Sequence, residues 1–134
     1  MRCTDIMRRL EVLAPLGFAE QWDNVGLLAG RSAKEVKSVY LAVDATDEVI
    51  ADAVDAGADM LITHHPLIFS PLKSITAEHF IGRRVLKLLQ ADICYYAMHT
   101  NFDVMGMADA AADELRLLDR QVLEITCEDD IAKE

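Results

Sequence analysis

Apolar positions along this chain change period several times, and each change marks an element. Over residues 4–14, Ile6, Met7, Leu10 and Leu13 fall on one helical stripe, with Thr4 as the expected N-cap and Pro15 and Gly17 to end the helix. Val25-Gly26-Leu27-Leu28-Ala29 is a short strand candidate, followed by a turn over 30–34. Residues 36–43 form a second strand whose end is almost unbroken in apolar character, the pattern of a strand buried in a parallel sheet. From 44 to 55, Val49, Ile50, Ala53 and Val54 recur at helical spacing, and Gly57 stands just past the helix end.

A strand is expected over 58–63, then a loop over 66–74 whose two prolines exclude a regular element. A helix over 77–90 should bury Ile81, Val85, Leu88 and Leu89. A strand over 93–98 and a helix over 107–116, with Ala108, Ala111, Ala112 and Leu115 inward, complete the pattern. The segment from Glu124 is acidic and weakly patterned. Strands alternating with helices predict an α/β fold with right-handed crossovers. The sheet should be largely parallel, a mixed sheet being the alternative, with helices on both faces. The whole of 1–134 is expected to form a single domain.

Composition narrows the classes. With 52% hydrophobic and 27% charged residues the chain reads as a soluble globular protein. No apolar run approaches the roughly 20 residues of a membrane span, and the N-terminus has no signal-peptide pattern. Cys3, Cys94 and Cys127 are odd in number, far apart and outside any Cys-x-x-Cys pair, so they read as reduced thiols of a cytoplasmic protein. A net charge of −10 argues against a nucleic-acid partner. Arg83, Arg84 and Lys87 form the one basic cluster and read as a solvated helix face. Dinucleotide, P-loop and nucleophile-elbow motifs do not occur, and Cys94, inside a strand, reads as a core residue.

The candidate chemistry lies at two strand ends. Met60-Leu61-Ile62-Thr63 runs into His64-His65-Pro66, and Ile93 to Ala97 runs into Met98-His99-Thr100-Asn101-Phe102-Asp103. These strings hold three of the four histidines. In an open α/β sheet, ligands bind at such C-terminal strand ends, and histidines converging with a carboxylate suit a divalent metal. Adjacent side chains on a strand point apart, and Pro66 keeps His65 extended. One arrangement places His64 and His65 on two neighbouring ions with Asp103 alongside; the plainer alternative is that both merely hydrogen-bond at a strand end.

Three strings in order, Trp22-Asp23-Asn24-Val25-Gly26-Leu27, Thr63-His64-His65-Pro66-Leu67-Ile68-Phe69 and His99-Thr100-Asn101-Phe102-Asp103, carry a resemblance. The sequence resembles the GTP cyclohydrolase I type 2 family, also called the Nif-three-like or Ngg-interacting-factor family, from the first helix to about residue 120. The resemblance implies two divalent metal ions per site (Zn, Mn, Fe or Mg), hydrolase chemistry and a toroidal hexamer. By it, His64 and His65 are metal ligands, one to each ion, and Asp103 is a carboxylate ligand. His99 matches the histidine that opens the second motif, close to the metals, and is expected to be catalytic, either supporting a ligand there or transferring protons.

Trp22, Asp23, Asn24 and Gly26 match the first motif, where Asn24 is expected to serve a structural turn, the alternative being that it shapes the site. The family completes its site with a His-x-x-x-Glu pair that this sequence lacks, so the chain is expected to match the family's N-terminal half. The leading expectation is a metal-dependent hydrolase whose small-molecule substrate is a nucleotide-like heterocycle. The alternative is a non-catalytic metal-binding or protein-interaction module with a protein partner. An Asp-His-His phosphoesterase is disfavoured because Thr63 stands where its aspartate would be. Leu67, Ile68 and Phe69 either tuck under their loop or pair with another subunit, and the resemblance favours a homo-oligomer.

Overall fold

The computed structural model describes residues 1–121; the acidic segment from Glu124 and Cys127 lie outside them. Among the described residues, β1 (Gly26–Ala29), β2 (Val39–Ala42), β3 (Met60–Thr63) and β4 (Cys94–Ala97) form one sheet in the order β1-β4-β3-β2. β2, β3 and β4 are parallel neighbours, and β1 joins β4 antiparallel, so the sheet is the mixed variant of the expected α/β architecture. Registers are aligned: Ala42 pairs with Thr63, and Thr63 with Ala97. The three parallel strands therefore stop at one level, and whatever follows each of them is delivered to the same edge.

α2 (Asp47–Asp55) and α3 (Phe80–Gln90) connect β2 to β3 and β3 to β4. Successive right-handed crossovers stepping in one direction place both helices on one face. There Ile50, Ala53, Val85 and Leu88 pack with Leu61 and Tyr95. The N-cap of α2 is Thr46, whose hydroxyl accepts the Val49 amide at 3.2 Å. Gly57, just past α2, takes a φ of +64°, which a left-handed helix ending favours in glycine. α1 (Cys3–Leu13) lies on the opposite face, where Ile6, Met7 and Leu10 pack on Cys3, Met60, Ile62, Cys94 and Tyr96. Cys94 is a core residue as expected, and burial, helped by the neighbouring Cys94 thiol, pushes the Cys3 thiol up to about 12.

Several expectations are corrected. β2 is the sheet edge, not a buried strand: Leu41 is 70% exposed, because Tyr40 and Ala42 face the two-helix core while Val39 and Leu41 point to the other side. α1 begins at Cys3 with Arg2 as N-cap, since the Asp5 carboxylate accepts the Arg2 amide at 3.0 Å; the Thr4 hydroxyl donates to the Ser32 carbonyl instead. Leu13 and Leu89 are exposed rather than buried, and the close approach of the Thr76 backbone gives the inward place on α3 to Gly82. The last helix starts earlier than expected. Helical turns run from Thr100 through a π-helical stretch, Asp103–Met107, into α5 (Ala108–Glu114), where Ala108, Ala111 and Leu115 are exposed. Nor are Arg83 and Arg84 simply solvated, for both donate to the Asp47 carboxylate. No helix among the described residues is long and apolar enough to cross a membrane.

Candidate metal centre

Thr63 and Ala97 close fully buried strands, and the residues after them leave the sheet together. His64, His65 and His99 meet there. Their ring centroids lie 4.9 Å (His64–His65), 5.1 Å (His64–His99) and 5.6 Å (His65–His99) apart. One ring nitrogen from each lies within 4.8 Å of the others, so the cluster could hold a metal ion. Asp103, delivered by the start of the π-helical stretch, comes within 3.5 Å of His64 Nε2 through Oδ1.

The three imidazoles share one polarity. His64 Nδ1 donates to the Met98 carbonyl at 2.9 Å, His65 Nδ1 to Asp44 Oδ1 at 2.7 Å and His99 Nδ1 to Asp23 Oδ1 at 3.0 Å. A carbonyl or carboxylate can only accept, so each Nδ1 carries the proton and each neutral ring keeps its lone pair on Nε2. Histidines that bind metals are held this way, the distal N–H fixed by a carboxylate or carbonyl while the other nitrogen ligates. The donor set and its preset orientation therefore fit a divalent metal.

The loop after the histidines is braced from below. The Tyr95 hydroxyl accepts the Leu67 amide at 2.8 Å, donates to the His65 carbonyl at 3.1 Å and lies 2.7 Å from Thr63 Oγ1. Thr63 Oγ1 also donates to the His65 carbonyl at 2.8 Å. Thr63 is thus a buried strut. Of the apolar run beyond Pro66, Leu67 is buried and Ile68 packs on the core, whereas Phe69 is half-exposed.

The segment at residues 22–24 ties the two histidine strings together. Asn24 Nδ2 donates to the Ile68 carbonyl at 2.5 Å, and the Trp22 ring lies 5.7 Å from Phe69 and 6.1 Å from His99. The Asp23 side chain is 0% exposed. Burial works against its charge, but the Thr100 hydroxyl (2.5 Å), His99 and the amides of Thr100 (3.1 Å) and Asn24 (2.8 Å) together hold its pKa below the ordinary carboxylate value.

Sequence reasoning missed Asp44, and it placed Asp23 in the first motif without a chemical role. For Asp44 the signal was present: it follows the apolar end of β2, just as the histidines follow β3. For Asp23 the motif marked the position but not the role, since its partner His99 is 76 residues away.

Comparison with known proteins gives the chain its family and its fold. A family model, Duf34/NIF3 (NGG1p interacting factor 3), matches residues 1–131. A Clostridium perfringens protein named "GTP cyclohydrolase 1 type 2 homolog" is 41% identical over 117 residues, 86% of this chain and 45% of that protein. The crystal structure of a Bacillus cereus protein related to NIF3 superposes with a TM-score of 0.88 at 38% identity, covering 95% of this chain and 35% of that one. Reduced HcgD from Methanocaldococcus jannaschii gives 0.81 at 35% identity, over 89% of this chain and 48% of its own. The chain thus spans less than half the length of these relatives. With a family match along nearly its whole length and a fold shared with two solved relatives, the chain belongs to the Duf34/NIF3 family.

Proposed function

We propose that this chain carries the metal centre of a hydrolase acting on a nucleotide-like heterocycle, in line with relatives named for GTP cyclohydrolase 1 type 2. The observation that carries the reading is the common polarity of the three imidazoles, each with Nδ1 tied to an acceptor and a ring nitrogen left for the shared centre. His64 and His65 would hold two divalent ions, one imidazole to each, with Asp103 as the carboxylate donor. Nitrogen and carboxylate donors suit Zn²⁺ and Mn²⁺, with Fe²⁺ and Mg²⁺ in the same class. Further donors, for which the resemblance implies a His-x-x-x-Glu pair, come from outside the described residues.

A divalent cation held there would supply Lewis acidity for activating water and polarising the substrate. The chain's own residues do the rest. His99 takes and returns a proton at Nε2 while its Nδ1–H stays on Asp23. Asp44 and the Met98 carbonyl keep His65 and His64 from rotating away. The half-exposed Phe69 beside this centre supports the homo-oligomeric reading.

Calorimetric titration with Zn²⁺ and Mn²⁺ tests the centre. Wild type should bind, and the His64→Ala/His65→Ala double variant should lose most of that binding while keeping its far-UV circular dichroism. Equal binding by both proteins rules the centre out. Incubation of the loaded protein with GTP, followed by formate release, then separates the hydrolase from the alternative; binding without turnover of any heterocycle leaves a metal-binding or protein-interaction module.

A further inference from the structure

We infer that Asp23 is a positioning residue of this centre: its buried carboxylate fixes His99 with the proton on Nδ1, so that the Nε2 lone pair faces His64 and His65. This rests on the reading of His99 as the proton-moving group, and it gives a task to the Trp22-Asp23-Asn24 segment.

The two oxygens of Asp23 have distinct duties. Oδ2 accepts the Thr100 amide and the Thr100 hydroxyl. Oδ1 accepts the Asn24 amide and His99 Nδ1–H. The Thr100 hydroxyl is itself committed, because its oxygen accepts the Glu20 amide at 2.9 Å while its proton goes to Asp23. Four donors thus converge on one carboxylate, which accepts through both oxygens and offers no proton in return. Each oxygen takes one backbone amide and one side-chain donor, so the Thr100 and Asn24 amides fix the carboxylate from both sides while Oδ1 meets the imidazole.

Asp23→Asn follows directly. An amide oxygen that stays at the Oδ2 place keeps both the Thr100 amide and the Thr100 hydroxyl, at the loss of the Asn24 amide bond. The NH2 group then faces His99, where Nδ1 can turn from donor to acceptor by moving its proton to Nε2. The same carboxylate-to-amide logic produces the wrong tautomer in Ser-His-Asp triads. The variant should therefore keep the fold and point an N–H, not a lone pair, at the other two imidazoles.

The test is nitrogen-15 NMR of the full chain labelled at histidine, without metal, at a pH where the imidazoles are neutral. Wild-type His99 should show a protonated Nδ1 and an unprotonated Nε2, and Asp23→Asn should exchange the two. A wild-type His99 protonated at Nε2 overturns the inference, and this reading needs no variant should Asp23→Asn fail to fold. A folded Asp23→Asn protein that keeps the Nδ1 proton overturns it as well. Titration of the wild type with Zn²⁺ separates the two readings. A correct tautomer with no Zn²⁺ binding sinks the metal centre alone, whereas Zn²⁺ binding beside the opposite tautomer sinks only the role of Asp23.

Discussion

The two faces of the sheet are built to different standards. On one, α2 and α3 cover the strands and enclose Leu61 and Tyr95 in a core with Ile50, Ala53, Val85 and Leu88. On the other, α1 covers Met60, Ile62, Cys94 and Tyr96 but does not reach the edge strand, where Leu41 stands exposed beside a groove lined by Leu10, Leu13, Met98 and Phe102. Tyr95 and Tyr96 make the contrast sharpest. They are neighbours on β4, both 0% exposed, and point to opposite faces. The Tyr95 hydroxyl engages Thr63, His65 and Leu67, whereas the Tyr96 hydroxyl has no partner among the described residues. Among the described residues, the face that holds up the histidine loop leaves no buried side-chain polar atom without a partner, and the other leaves one.

The largest effect that can break this contrast is in the two-helix core. Leu61 is 0% exposed in the middle of β3, two residues before Thr63. Leu61→Ala should cost about 2–5 kcal/mol, the range for deleting a buried leucine side chain that leaves a cavity. Urea denaturation of the 134-residue chain measures it. A cost below about 1 kcal/mol would mean that this core is loosely packed and the two faces are not so different.

A smaller effect separates the tyrosines. Tyr95→Phe removes the acceptor of the Leu67 amide inside the protein, and an orphaned buried amide costs about 1–3 kcal/mol. It should also slacken the His65–Leu67 segment and weaken metal binding. Tyr96→Phe deletes a hydroxyl whose pKa burial, joined by the Glu11 carboxylate and the Cys3 thiol, pushes up to about 12. That change should be neutral or slightly stabilising, since no bond is lost. Denaturation midpoints of the two variants give the comparison, and equal costs would show that Tyr96 does have a partner.

Much of this was legible in the sequence, and the residues show why. The parallel strands ending in His64-His65 and His99 were readable from apolar runs that stop abruptly at polar residues, and the rule that ligands gather at C-terminal strand ends did the rest. The edge position of β2 was not legible: Val39, Leu41 and Val43 are as apolar as a buried strand, and only the strand order shows what lies beside them. Local pattern also misjudged helix ends, placing the N-cap of α1 two residues late and missing the turns at Thr100–Phe102 and the π-helical stretch that presents Asp103. Asp23 was opaque for a different reason. Its meaning lies wholly in partners that folding brings from residues 99 and 100.

The smallest effect is the most discriminating. Leu41 is an aliphatic residue on a β-strand, so by composition alone its replacement looks as damaging as that of Leu61. At 70% exposure, however, it has little apolar surface to lose to water. Leu41→Ser should change stability by no more than about 0.5 kcal/mol, as for substitutions away from packed or bonded sites. The measurement is urea denaturation at two protein concentrations well apart. A small and concentration-independent change confirms that the α1 face ends short of β2. A loss above about 1 kcal/mol that grows with concentration would instead mean that another molecule covers Leu41 in solution, since stabilisation by association follows mass action. The unequal faces would then belong to the single chain and not to its assembled form.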